Sequence, residues 1–286
     1  MNLNQDYAIR YKPNCDKEYI NNYDKAIIKN KSITSLIIKM IVLINGLMIL
    51  IILLSLVSKT SSESLNQVLT ADLWPSFIIS FSSVVISNII VVMIGIPISY
   101  TLATKKGRSY RLLETLTCLP MVLPPTVAGL ALLMTFGKRG IIGGFLSQFG
   151  ISIPFTFIAV IIAQVFIISP YFIQLVKNGF LGISPTIIEA AKVCGAGEKQ
   201  ILFNIYIPLA RRSICTGLVL CSLRAFGEFG ATIMLAGNMV GKTQTITLRI
   251  YSLYQSDIIQ SVNLAVLQMG FILLFFSIFI RKENSF

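Results

Sequence analysis

Arg224 and Glu228 are the two charged residues inside one long apolar segment of this sequence. They stand four residues apart, so a helix would place both on one face together with Gly217, Cys221 and Thr232. If the segment crosses a membrane, each buried charge costs roughly 2.5–3.5 kcal/mol on the mildest scale, and pairing recovers part of that. Two roles stay open: a salt bridge that fixes helix packing, or part of a translocation pathway or gate that includes Thr232.

Serine hydroxyls form a second candidate group. Ser76, Ser80, Ser83 and Ser87 recur at helical spacing and so share one face of a predicted helix. Such a face is typical of interhelical hydrogen bonds that hold a helical bundle together. It could equally form the wall of a hydrated pathway, and on that hypothesis Ser83 and Ser87 are pathway residues.

A cluster of three prolines in six residues gives the third candidate, at Pro120, Pro124 and Pro125. Each proline removes an amide donor and crowds the preceding helical turn, so the segment is predicted to be a broken helix. In lipid the freed carbonyl groups need partners, and such a break must be buried in protein or line a cavity. Because transporters use broken helices near the membrane interior, we expect Pro124, Pro125 and Thr126 to lie in a pathway or gate.

The composition identifies the elements that must position these residues. The chain has 286 residues, of which 55% are hydrophobic and only 13% are charged, whereas soluble domains average about 25% charged residues. This excludes a soluble enzyme, a disordered protein and a secreted disulfide scaffold. Six stretches are long enough to cross about 30 Å of hydrocarbon as helices, which predicts an all-α polytopic membrane protein. The predicted transmembrane helices cover residues 36–57, 76–103, 119–136, 155–176, 213–237 and 262–280.

The net charge of +12 is a topology signal. With these six helices, 18 of the 24 lysine and arginine residues fall on one side, five fall on the other, and Arg224 lies within a helix. Positive residues stay on the cytoplasmic side, so both termini are predicted to be cytoplasmic in a multi-pass protein of the cell membrane. Lipid is therefore an expected partner and nucleic acid is not.

The remaining chemistry-bearing residues point to no catalytic centre. Histidine is absent, and the five cysteines form no C-x-x-C pair, so neither a metal site nor a catalytic residue is predicted. Residues 236–243 approach a phosphate-binding loop, but alanine replaces its first glycine. This stretch follows a membrane span on the external side, and we expect no nucleotide hydrolysis by the chain. Residues 1–35 form a predicted cytoplasmic arm, and residues 36–57 an uncleaved anchor.

The connection over residues 177–212 is the most informative segment. Ser184-Pro185 is a helix start, residues 185–194 are predicted to form a short amphipathic helix, and residues 195–197 (Gly-Ala-Gly) a break. A second helix then enters the membrane near Pro208. A helix–turn–helix of small residues outside the bilayer is well suited to insert into a groove of another protein.

This connection resembles the signature loop E-A-A-x3-G-x9-I-x-[LI]-P of permease subunits of binding-protein-dependent ABC importers. The matching residues are Glu189, Ala190, Ala191, Gly195, Ile205 and Pro208. Isoleucine stands at position 207, where leucine is usual, and the likeness extends over residues 76–280. It implies the type I permease fold of molybdate, sulfate and maltose importers, with the loop docked on a separate cytoplasmic ATPase.

The same resemblance implies a partner set. Two permease copies would form a homodimer above two ATPase subunits, and an external binding protein would deliver the substrate. ATP and Mg would be bound by the ATPase, so the chain itself would hold no cofactor and would not be an enzyme.

Within that family, two stretches look most like the molybdate branch: Leu119–Gly129, and Arg224–Thr232 with its continuation to Thr245. The sulfate/thiosulfate branch shares R-A-x-G-E-[FY]-G and A-G-N, whereas F-G-A-T and T-Q-T favour molybdate, and tungstate carriers are not separated from it. A hydroxyl-rich face, a broken helix and one buried arginine suit an oxyanion. The alternative of a different class is a self-sufficient secondary transporter or channel, which would leave the loop over 184–208 unexplained.

Overall fold

The computed structural model describes residues 17–60 and 73–283, with side chains over 37–60 and 73–278. The described residues are helical and contain no strand, which confirms the all-α prediction. Part of the predicted arm over residues 1–35 lies outside the described residues. The helices are α1 (Lys17–Val57), α2 (Leu73–Thr104), α3 (Arg108–Val122), α4 (Pro125–Phe136), α5 (Ile141–Ser147), α6 (Phe157–Leu181), α7 (Pro185–Val193), α8 (Glu198–Ile201), a π-helical turn (Leu202–Tyr206), α9 (Ile207–Leu209), α10 (Arg211–Phe226), α11 (Gly230–Ala236), α12 (Ile246–Ser256) and α13 (Ile258–Glu283).

The chain divides into two units, residues 1–58 and 59–286. In the first unit, Ile37–Val57 is 21 residues long and apolar enough to cross a membrane. Its large apolar side chains are exposed within that unit, as expected for a helix whose whole surface suits lipid. This stretch coincides with the helix expected over residues 36–57, and its role as the first transmembrane helix stays a prediction.

The second unit supplies the other spans. Among the described residues, α2, α6, α13 and the stretch Pro125–Ser147 are also long and apolar enough to cross a membrane. The pair α10–α11 makes a further span if its bend is counted within one crossing. The described residues thus contain five candidate crossings, or the predicted six when the bent pair counts as one.

The third predicted span, 119–136, is wrong in its limits. The helix α3 includes Pro120 and ends at Val122, and the candidate crossing begins only at Pro125. Leu123 and Pro124 each precede a proline, which disfavours the helical conformation, and both are extended with ψ near 135°. The predicted break therefore exists, but it lies at these two residues.

The fifth predicted span, 213–237, is wrong in its continuity. Helix α10 ends at Phe226, α11 begins at Gly230, and the two axes differ by 61°. The break exposes carbonyl groups that lipid cannot satisfy, and side chains of other helices supply the donors. Gln164 Nε2 donates to the Ala225 oxygen at 3.4 Å, and Thr247 Oγ1 and Gln268 Nε2 donate to the Phe226 oxygen at 2.8 and 3.0 Å.

Helix α6 is the centre of the second unit and packs against α2, α10 and α11. Phe172 is fully buried and lies between Gly95 of α2 and Gly217 of α10. A Cβ atom at Gly95 would lie 2.6 Å from the Phe172 ring, so only glycine permits this approach of the helices. The two broken spans are held against this core.

Candidate functional site

The two helix breaks meet. A Cβ atom at Gly230 would lie 2.8 Å from Pro125 Cβ, and one at Gly129 would lie 2.7 Å from Ala231 Cα. The first turn of α11 therefore packs directly on the first turns of α4, with backbone against backbone. Small residues at such crossings allow close helix packing in membranes. The proline break and the glycine break thus form one irregular region of the second unit.

The ion pair of Arg224 and Glu228 spans the break between α10 and α11. Arg224 Nη1 lies 2.9 Å from Glu228 Oε2, and the Glu228 side chain is 1% exposed while that of Arg224 is 32% exposed. Glu228 Oε1 accepts a hydrogen bond from the Ala231 N–H at 2.9 Å, which is an unpaired donor in the first turn of α11. The prediction that one continuous helical face carries both residues is wrong, because the ion pair spans the bend. The carboxylate joins the end of α10 to the start of α11.

The predicted pathway residues separate into two groups. Pro124, Pro125 and Thr126 are exposed in the single chain, at the start of α4. Thr232, Ser83 and Ser87 are fully buried. Of these six residues, only those of the first group present surface that a second chain or a substrate could reach without rearrangement of this one, and Arg224 is a further pathway candidate that is partly exposed.

The serine face of α2 is bonded within the chain. Ser87 Oγ donates to Gln164 Oε1 at 3.0 Å, Ser83 Oγ donates to the Ser80 oxygen at 3.0 Å, and Ser80 Oγ accepts from the Ile246 N–H at 2.8 Å. These hydrogen bonds favour a role of the serine face in helix packing over a role in a hydrated pathway. Gln164 is 1% exposed and links α2 to the end of α10. Sequence reasoning missed it, although an amide inside the predicted fourth span was the available signal.

The motif residues after α11 form a polar network. Gln244 Nε2 donates to Asn238 Oδ1 at 3.0 Å, and Asn238 Nδ2 donates to Ser252 Oγ at 2.7 Å. Ser76 Oγ donates to Gln244 Oε1 at 3.4 Å, which ties the loop to α2. Gly237 has φ of +69°, a value that favours glycine. Residues 236–243, whose sequence approaches that of a phosphate-binding loop, thus form a turn between two helices. A true phosphate-binding loop follows a strand, and the described residues contain none.

The contact of Gly129 with Ala231 gives a stability prediction. Gly129→Val would place side-chain atoms against the Ala231 backbone, which cannot move aside as a flexible side chain can. We expect the melting temperature of the detergent-solubilised protein to fall, by the equivalent of about 1–3 kcal/mol or more. Gly270→Val in α13 is the control, since no atom lies within 4 Å of that Cβ position. Equal melting temperatures of the two variants would contradict this packing.

The connection over residues 177–212 has a sharp turn at its centre. Helix α7 has no buried residue, and Glu189 and Ala190 are exposed. The Ala196 N–H donates to the Ala191 oxygen and the Gly195 N–H to the Lys192 oxygen, both at 3.0 Å. These are the two bonds of a Schellman motif, which requires a left-handed residue after the helix. Gly195, with φ of +84°, is that residue.

The second half of the connection is attached to the core. Tyr206 closes the π-helical turn, and its ring meets those of Tyr100 and Phe180 edge-on, with centroids 5.2 Å apart in each case. Lys105 Nζ donates to Glu198 Oε1 at 3.1 Å. This hydrogen bond, together with the carboxylate charge, raises the pKa of Lys105. Helix α7 packs on the core through the partly buried Ile188 and Ala191, so the connection presents the exposed face of α7, with Glu189 and Ala190, on a firmly attached base.

Comparison with known proteins identifies the family of this chain. A family model described as the inner membrane component of binding-protein-dependent transport systems matches residues 95–281. The chain belongs to this family. It is therefore the permease subunit of a transport system and a multi-pass protein of the inner membrane.

Two relatives are close to this permease. It is 37% identical over 231 residues to the probable transport system permease protein NifC of Clostridium pasteurianum, covering 79% of this chain and 81% of that one. It is 35% identical over 192 residues to the molybdenum transport system permease protein ModB of Mycobacterium tuberculosis, covering 67% and 73%.

The fold is also that of solved ABC importers. The permease superposes on a chain of a bacterial alginate ABC transporter, crystallised with its periplasmic protein, with a TM-score of 0.64. The identity is 14%, and the superposition covers 88% of this chain and 94% of that one. The predicted ABC permease fold is thereby confirmed.

The ring contacts of Tyr206 lead to a prediction about this permease. Tyr206→Ala removes two aromatic contacts, each worth about 0.5–1.5 kcal/mol, and loosens the base of the connection. We expect substrate uptake to fall several-fold while ATP hydrolysis by the complex falls less. Tyr206→Phe keeps both ring contacts and should retain the wild-type ratio of uptake to hydrolysis. A parallel loss of both activities in the alanine variant would assign the ring to stability alone.

Proposed function

We propose that the permease is the membrane subunit of an ATP-driven importer that moves molybdate into the cytoplasm. The observation that supports molybdate as the substrate is the 35% identity to a protein named as a molybdenum transport permease. Gln244, in the T-Q-T form that favours molybdate, is hydrogen-bonded to Asn238, in the A-G-N form that both branches share.

The proposed assembly is a homodimer of the permease above two cytoplasmic ATPase subunits, with an external binding protein that supplies the anion. The exposed face of α7, with Glu189, Ala190 and the Gly195 turn, supports docking on the ATPase, where ATP and Mg would be bound. The base of the loop would contribute Ile205 and Pro208. Docking on an ATPase would put this loop on the cytoplasmic side, which is also the side that the charge distribution predicts for both termini.

The exposed faces of the second unit support a second copy. The stretch Pro125–Ser147 is mostly exposed, whereas half of α6 is buried. Val127, Leu130 and Met134 of α4 are exposed apolar residues next to the proline break. We propose that two such faces enclose the pathway, with Pro124, Pro125 and Thr126 at the gate. Ser83, Ser87 and Thr232 would then support the gate from behind, and Arg224 and Glu228 would fix the bend against which it packs.

The test is uptake of labelled molybdate into proteoliposomes that contain the permease, its ATPase and the loaded binding protein. We expect uptake that requires ATP inside the vesicles and that excess tungstate suppresses more than excess sulfate. Stronger suppression by sulfate would assign the sulfate/thiosulfate branch instead. Uptake without ATP or ATPase would favour a self-sufficient secondary transporter. Native mass measurement of the complex checks the assembly, and one permease copy per two ATPases would exclude the homodimer.

A further inference from the structure

A concave site with basic walls lies between the end of α2 and the start of α3. Its volume is about 330 Å³. The lining residues are Leu102, Lys105, Lys106, Gly107, Tyr110, Arg111 and Glu114. Through the contact of Lys105 with Glu198, the site lies on the same side of the membrane as the docking loop.

The charges of this site do not cancel. Glu198 pairs with Lys105, and Lys177 pairs with Glu114 across the gap between α6 and α3. For Lys106 and Arg111, the described residues show no acidic partner. Two cations therefore face a cavity whose carboxylate is already neutralised, so the cavity favours an anionic group.

The surroundings of the site suit a lipid headgroup. The apolar helix α2 ends at Thr104, and only residues 105–107 separate it from α3. The cations thus directly follow a membrane-spanning helix, with Leu102 and Tyr110 in the same wall, and tyrosine is enriched at membrane–water interfaces. Beyond Arg111, Leu112 and Leu116 are exposed one turn apart on α3. This apolar surface can contact an acyl chain, whereas a free phosphate ion would leave it unused.

We infer that this site binds the headgroup of an anionic phospholipid, with Lys106 and Arg111 on the phosphate. Basic pockets between helices on the cytoplasmic side are suited to such headgroups. A lipid held here would fix the short α2–α3 connection beside the Lys105–Glu198 contact. The inference concerns lipid binding and does not depend on which oxyanion the permease carries.

The experiment compares two double variants of the complete permease–ATPase complex in bilayers of phosphatidylcholine and phosphatidylglycerol. Lys106→Gln with Arg111→Gln removes the two site cations. Lys138→Gln with Arg139→Gln removes two exposed cations from the connection between α4 and α5 and is the matched control. Native mass spectrometry counts retained phosphatidylglycerol, and a spin-labelled phosphatidylglycerol gives its affinity relative to phosphatidylcholine.

We expect wild type and control to retain phosphatidylglycerol selectively, and the site variant to lose that selectivity by about tenfold or more, since each cation near the surface contributes to anionic lipid binding. Inorganic phosphate should not displace the lipid. Equal selectivity in all three proteins would overturn the inference, as would displacement by phosphate, which would identify a free-anion site. Loss of ATPase binding in the site variant with unchanged lipid selectivity would also overturn it, because the cavity would then be a protein contact.

Discussion

Arg224→Gln is expected to reduce the yield of folded, assembled permease by more than tenfold. The substitution leaves the Glu228 carboxylate 1% exposed, with the Ala231 N–H as its remaining donor. Removing one partner of a buried ion pair typically costs about 3–5 kcal/mol, because the other charge stays buried and uncompensated. The measurement is the amount of monodisperse complex recovered in detergent, relative to wild type.

The reverse substitution should be milder. In Glu228→Gln the amide oxygen can still accept from the Ala231 N–H, and the charge left without a partner, on Arg224, is 32% exposed in the single chain and so less buried than the Glu228 carboxylate. Lys105→Gln serves as the control for loss of an exposed partner, since that pair is 46% and 71% exposed. Exposed pairs contribute about 0–1 kcal/mol, so its yield should stay near wild type. A yield of Arg224→Gln as high as that of Lys105→Gln would contradict the burial of the pair.

The double variant separates structure from transport. Arg224→Gln with Glu228→Gln removes both charges, so no unpaired charge is left in the interior. We expect assembly to recover and molybdate uptake per assembled complex to recover with it, because the pair fixes the bend between α10 and α11. An assembled double variant that hydrolyses ATP but transports no molybdate would instead assign Arg224 a direct contact with the anion.

The parts of the fold that sequence could predict are those governed by local rules. The loop over residues 184–208 is an example, because the proline that starts its helix, the small residues and the left-handed glycine that ends the helix lie within about a dozen positions of one another. The crossings followed from length and hydropathy, since lipid requires helices of a fixed minimum length. The break before Pro125 was also local, and only its limits were misplaced, because Pro120 is accommodated inside α3.

The parts that sequence could not predict depend on distant partners. The spacing of Arg224 and Glu228 suited one straight helix, yet the pair spans a bend that is stable only because Gln164, Thr247 and Gln268 satisfy its carbonyl groups. Those donors lie 21 to 61 positions away in the chain, and no periodicity within residues 213–237 reports them. Glycine on both sides of Glu228 was the one local signal of the break. The environment of Ser87 could not be predicted either, because its hydroxyl donates a hydrogen bond to the Gln164 side chain of α6 and does not line a cavity.

Gly195→Val is expected to uncouple the permease from its ATPase while leaving membrane insertion intact. With φ of +84°, the position disfavours any β-branched residue, and the strain is of order 1–3 kcal/mol. Relief of that strain breaks the Schellman bonds to Ala191 and Lys192, which reorients α7 relative to its base. No atom lies within 4 Å of the Cβ position, so the permease core is not overpacked and the variant should fold.

The matched variant is Gly195→Asn, because asparagine tolerates the left-handed region better than other side chains. We expect the valine variant to lose at least tenfold in ATPase co-purification and in molybdate uptake, and the asparagine variant to keep most of both. If both variants retain wild-type coupling, the turn is not needed for docking. If both lose it equally, the side chain itself obstructs the contact, and Gly195 is required for its size and not for its backbone angle. The valine–asparagine difference therefore tests whether the glycine of the loop motif is set by the geometry of a helix end.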